Sequence, residues 1–201
     1  MKQAIITPGW PDTGEESKYL SLRDAFVSSG YQASILRPQW DKNAMSVWSQ
    51  QLEDEIDAES ESVTLLGFSM GAMATLLVSA RVKIECAIIC SAGGYFTEYK
   101  PLMTEDDLAW AATNLTDFDR YTTKNLFPLV MVNNGYIFVG EEELSEWPDF
   151  KQWMGDLVEA TNWPISILPA TGHDIGAVEY QKQLVGLISG LNISAETKDS
   201  L

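Results

Sequence analysis

Two features of this chain are suited to nucleophilic chemistry. One is a serine with glycine two residues away on each side, Gly67-Phe68-Ser69-Met70-Gly71; the other is the sole histidine, His173. A serine hydroxyl attacks poorly at neutral pH until a general base takes its proton, and imidazole suits that task. The glycines matter for a geometric reason. "SVTLLGF" reads as a buried strand and "GAMATLLVSA" as a helix, so Ser69 sits where a strand turns sharply into a helix. Such a turn strains the central residue and brings the positions two before and two after too close for a Cβ. It also aims the Met70 N–H, at the helix N-terminus, toward a negative charge developing beside the hydroxyl. The plainer alternative is a glycine-loosened loop in which Ser69 only caps the helix.

His173 stands in "LPATGHDI", after the last strand and before the final helix. In parallel sheets that is the end where active sites form, and it is the end where Ser69 emerges. The neighbouring Asp174 reads as a local turn or cap.

The elements that must position these residues alternate. "KQAIITPGW" is a strand that breaks at Pro8-Gly9. Tyr19, Leu22 and Phe26 recur at helical spacing before Ser28-Ser29-Gly30 ends the helix. "YQASIL" is a second strand, and Met45, Trp48, Leu52 and Ile56 mark one face of a second helix. Past the serine turn, "IECAIICSAGG" is another buried strand. Residues 96–127 break the alternation, with helical stretches and no visible strand, and read as a small lid inserted over one end of the sheet. "YIFVG" resumes it, ending at Gly140. Phe150, Trp153, Met154, Leu157 and Val158 then form a helical stripe with Pro148 in its first turn. "WPISILPA" is the last strand, followed by a helix carrying Ala177, Tyr180, Leu184, Leu187 and Leu191 and by a polar, frayed tail, "SAETKDSL". The expectation is a single α/β domain over residues 1–201, a three-layer α/β/α sandwich on a mostly parallel sheet of about six strands.

Composition removes several classes. The 201 residues suit one domain with a sizeable core, and 45% are apolar, as in soluble globular chains. With 29 acids against 13 bases the net charge is −16, so nucleic acid is not an expected partner. No apolar run reaches the roughly 20 residues of a membrane span, and "MKQAIITPGW" is too short an apolar run for a signal peptide. A cytoplasmic location is the expectation. Cys86 and Cys90 share one face of a strand and read as buried apolar residues; with one histidine, no metal site is expected.

With "GFSMG" around Ser69, "GHD" around His173 and "TPGW" after the first strand, the chain resembles the α/β-hydrolase superfamily. The element order is similar over nearly its whole length, although the first two strands of a full-length member have no counterpart before Lys2. The resemblance implies a triad in the order serine, acid, histidine, with the acid after the penultimate strand to hold the histidine tautomer. The family pattern there is glycine, two variable residues and an aspartate. Counted from Gly140 this places Glu143, with Glu141, Glu142 and Asp149 as rivals. The resemblance also implies a second oxyanion donor, beside the Met70 N–H, from the loop after the first strand. Relatives often show a His-Gly pair there; this chain shows Pro8-Gly9-Trp10, so Gly9 or Trp10 is the expected donor, Trp10 preferred.

The implied activity is hydrolysis of a small-molecule ester through an acyl-enzyme, with no cofactor. A thioester substrate on the same triad, or a non-catalytic binding protein of this fold, are the alternatives. Tyr95, Phe96 and Trp110, with Phe118 and Tyr121, lie in or beside the expected lid. The first three are the candidate substrate-binding residues, against the alternative that they only pack the lid down.

Overall fold

The computed structural model describes residues 1–191. The polar tail expected from Ser194 onward lies outside those residues. Six strands form one sheet: β1 (Lys2–Thr7), β2 (Gln32–Ile35), β3 (Ser62–Phe68), β4 (Ile84–Cys90), β5 (Val132–Gly140) and β6 (Ile165–Leu168). Their order is β2-β1-β3-β4-β5-β6 and all five pairings are parallel.

Parallel pairing requires crossovers, and the crossover helices cover both faces. Strand residues divide between the faces by simple alternation. Ile5, Leu65, Ala87, Ile89, Ile137 and Val139 face α2 (Met45–Asp54), α3 (Met70–Ser79) and α7 (Pro148–Thr161). Ala4, Ile6, Leu66, Phe68, Ile88 and Phe138 face α1 (Ser17–Ser28) and α8 (Val178–Gly190). Cys86 and Cys90 belong to this second layer, and both are buried. Burial, with Glu85 nearby, pushes the Cys86 thiol up to about 12.

The helices end where their sequences allow. α7 opens on Pro148 and stops at Asn162, whose φ of 55° is left-handed. α1 gives way to Gly30 at φ 80°.

Register levels the strand ends. Phe68 pairs with Cys90, Cys90 with Phe138, and Gly140 with Leu168. The ladder runs one residue beyond β3 and β4, because the Ser69 N–H donates to Cys90 O (2.9 Å) and the Ser91 N–H to Phe138 O (2.8 Å). The chain segments that leave β1, β3, β4, β5 and β6 therefore rise from one rim. The order in which strands are added across the sheet reverses between β1 and β3, the place where open α/β sheets leave a crevice.

Two parts differ from the sequence expectation. β5 begins at Val132, well before "YIFVG". Its first residues are polar because that end is exposed, and Asn133 and Asn134 donate to the Glu85 carboxylate on β4 (2.5 and 3.0 Å). The acidic run after Gly140 is a helix, α6 (Glu141–Glu146), with three glutamates in its first turn, where carboxylates suit the macrodipole. Between β4 and β5 the chain forms short helical turns, including α4 (Glu105–Asn114) and α5 (Thr123–Leu126). Among the described residues no helix is long and apolar enough to cross a membrane.

Candidate active site

Ser69 occupies the junction of β3 and α3 with φ 53° and ψ −120°. A non-glycine residue held there costs about 1–3 kcal/mol, so the surroundings must enforce it. They do so through the flanking glycines. A Cβ on Gly67 would lie 2.3 Å from Gly71 O, and one on Gly71 would lie 2.2 Å from Thr7 O. Only bare backbone lets α3 start this close to β3 and to the end of β1. Met70 is the first residue of α3, so its N–H has no carbonyl one turn back within the helix.

His173 lies in the loop between β6 and α8, its ring between Phe68 (centroids 4.8 Å apart) and Trp147 (5.4 Å). Its Nδ1 is 2.5 Å from Glu143 Oε1. A carboxylate only accepts, so in the neutral imidazole this contact assigns the proton to Nδ1 and leaves Nε2 as the acceptor. Glu143 is 1% exposed, and its other oxygen accepts the Gly140 N–H at 2.6 Å. The other acids near His173 are engaged elsewhere or only through their backbone. Glu141 accepts the Ala170 N–H (3.1 Å), and the Glu142 N–H donates to Thr171 O (3.1 Å), so both brace the histidine loop against α6. Asp174 accepts the Gly176 N–H (2.8 Å) in a local turn.

The loop after β1 reaches Ser69. A Cβ on Gly9 would stand 3.0 Å from the Ser69 Cβ. The expectation that Gly9 could be an oxyanion donor is corrected here: its N–H donates to the Tyr19 hydroxyl at 3.1 Å. That hydroxyl in turn donates to Asp12 Oδ2 (2.8 Å), which Lys18 also contacts (2.8 Å). Burial and the nearby Asp12 carboxylate keep the Tyr19 phenol protonated. The loop is thus braced from α1, and Trp10 is left as the residue that faces the cavity.

That cavity, of about 490 Å³, brings Ser69, Met70 and His173 to one surface. Trp10, Tyr95, Trp110, Trp147 and Phe150 supply aromatic walls. Trp110, from α4, packs against both Trp10 and Tyr95 with ring centroids 5.2 Å apart. Phe96 is a correction: it is fully buried, stacks on Trp153 (6.1 Å, 16° between planes) and does not line the cavity. Its neighbour Tyr95 takes the outward position, and successive residues of an extended segment point opposite ways.

Asp106, Asp107 and Asp149 also line the cavity, with no lysine or arginine among its lining residues. Burial raises the Asp149 carboxyl above its ordinary range, against hydrogen bonds from its own and the Phe150 N–H, with Asp107 adding to the rise. Burial, with Asp107 and Asp149 nearby, pushes the Tyr95 phenol up to about 12. Sequence reading missed Trp147, Phe150 and Asp107 as lining residues. For Trp147 and Phe150 the available signal was the start of a helix directly after the acid-bearing segment, since such a start faces the same rim; no comparable signal marked Asp107. Among the described residues no group of three or more His, Cys, Asp or Glu could hold a metal ion.

No family model and no curated protein matches this chain. Solved structures do. Est1E from Butyrivibrio proteoclasticus, with ferulic acid bound, is similar with a TM-score of 0.71 at 12% identity, over 96% of this chain and 89% of that one. Alpha/beta hydrolase domain-containing protein 10 from mouse gives 0.68 at 14% identity, over 96% and 90%. The ydeN gene product from B. subtilis gives 0.65 at 15% identity, over 100% and 98%. Together with the parallel sheet and the strained serine at its rim, these similarities identify the architecture: the chain has the α/β-hydrolase fold.

Proposed function

We propose that this protein is a serine hydrolase that cleaves a small ester through an acyl-enzyme on Ser69, His173 and Glu143. The observation that carries the reading is the Glu143–His173 contact beside a serine held at positive φ on the same cavity. His173 Nε2 takes the Ser69 proton as Oγ attacks the carbonyl carbon. The N–H groups of Met70 and Trp10 hold the oxyanion, and Glu143 steadies the imidazolium. His173 then gives the proton to the departing alkoxide as the C–O bond breaks. Water repeats the sequence, with His173 taking its proton, and releases the acid and free Ser69. A thioester would pass through the same steps. The structural neighbours include esterases, which supports this chemistry. A binding protein without turnover would have no need of a buried carboxylate committed to an imidazole.

In this reading α4 and the turns around it form a lid, and the substrate is compact, apolar or aromatic. Est1E, with ferulic acid bound, has a comparable fold, and the walls here are largely aromatic. The three aspartates set a charge preference. The test is a matched series of aryl esters bearing a trimethylammonium, a neutral tert-butyl or a carboxylate group. The neutral ester is turned over, the cation equally well or better, and the carboxylate with kcat/KM lower by about fivefold or more once solvent screening is allowed for. Because burial raises Asp149, its charge is lost earlier as pH falls, and the discrimination shrinks at acid pH before an ordinary carboxylate would titrate. No turnover of any of the three contradicts the proposed activity.

A further inference from the structure

A carboxylate that orients an imidazole through one oxygen can turn about its last bond unless the second oxygen is also held. Glu143 Oε2 has two donors, the Gly140 N–H and the Ser91 hydroxyl, each at 2.6 Å. Ser91 directly follows β4 and is fully buried, and the level strand ends deliver it beside Glu143. The Ser91 Oγ is also 2.6 Å from the hydroxyl of Tyr180, a fully buried residue of α8.

Counting protons fixes the direction of this chain. Ser91 has one hydroxyl proton, and a carboxylate can only accept it. At the second contact Tyr180 must therefore be the donor. The Tyr180 hydroxyl also donates to Phe138 O at 3.0 Å, so its one proton is shared between that carbonyl and the nearer Ser91 Oγ. Burial, with Cys90 and Glu143 nearby, keeps the Tyr180 phenol protonated and so able to donate. Ser91 itself has φ 45°, in the left-handed region that favours glycine. Glycine would suit that backbone better, so it is the hydroxyl that gives serine a purpose there.

We infer that Ser91 and Tyr180 are positioning residues for the proposed reaction: a relay from Tyr180 to Ser91 to Glu143 locks the carboxylate plane and thereby the tautomer of His173. The inference rests on Glu143 being the orienting acid. The relay spans three elements, so β4, α6 and α8 together set one imidazole.

The test compares Ser91→Gly, Tyr180→Phe, the double variant and Glu143→Gln. Ser91→Gly removes the hydroxyl at a φ glycine accepts, and Tyr180→Phe keeps the ring that packs against Phe68, so both variants should fold. With a neutral aryl ester, each single variant lowers kcat about tenfold with KM little changed. The double variant loses no more than the worse single one, because both act through one carboxylate. Since the chain has one histidine, the ring 15N signals of labelled protein report the tautomer of His173 without assignment. They shift from Nδ1–H toward a mixture in each variant, which a purely structural role would not produce. Wild-type kcat and ring signals in both single variants, with Glu143→Gln inactive, overturn the relay alone. Losses that multiply in the double variant also overturn it. Full activity in Glu143→Gln removes the acid itself, and the relay with it.

Discussion

Ser69→Ala is expected to lower kcat for a neutral aryl ester by about 10⁵-fold or more, with no loss of thermal stability. The size follows from what is removed. Without Oγ there is no acyl-enzyme, and what remains is a cavity with oxyanion donors that can only assist attack by water. The stability follows from the backbone. Alanine keeps the same Cβ, and the cramped approach of Gly67 and Gly71 still enforces the turn. Steady-state rates and a thermal melt on the same preparation check both halves. A variant that keeps more than about one hundredth of the wild-type rate contradicts the assignment of the nucleophile.

Glu143→Gln carries the second largest expected effect, a fall in kcat of about 10³- to 10⁴-fold. The side chain is nearly isosteric, so the loss comes from hydrogen-bond polarity. If the amide oxygen faces His173 Nδ1, the NH₂ group points at the Gly140 N–H, a donor against a donor at a site that is 2.6 Å across. If the amide is turned round, NH₂ faces Nδ1 and forces the proton to Nε2, where it blocks the base. Either arrangement spoils the pair, and a buried position lets no solvent repair it. Glu142→Gln is the control, since the Glu142 side chain is exposed and only its N–H braces the loop. Its kcat should stay within about twofold. Equal losses in both variants would argue for a general charge effect rather than one oriented carboxylate.

How much of this was legible in the sequence depends on the distance over which each constraint acts. The turn at Ser69 is local: two glycines at fixed spacing after a buried strand dictate it. His173 was legible because it is the sole histidine and follows the last strand. Glu143 could be reached only by counting from Gly140. Nothing in the acidic run itself separates it from Glu141 or Glu142, because burial of one helix position depends on β4 and α8. The Gly9 N–H was misread for a similar reason: its acceptor is the Tyr19 hydroxyl on α1, a partner that no loop pattern reveals. Phe96 and Tyr95 are adjacent aromatics, and sequence could not tell which one turns into the core. The exposed start of β5 escaped because its asparagines are held by Glu85, not by an apolar layer. Ser91 and Tyr180 are 89 residues apart, and only the level rim of the sheet makes them neighbours.

A hydroxyl strained toward a cavity and an imidazole poised by a sunken carboxylate should together make one residue of this chain abnormally reactive. Intact-mass analysis after exposure to a fluorophosphonate reads that directly. With Ser69 as the nucleophile, the native protein takes up a single adduct, mapped by peptide sequencing to Ser69, and Ser69→Ala and His173→Ala take up none. Native wild-type protein that stays unmodified, or that is modified equally when Ser69 is replaced, contradicts that role.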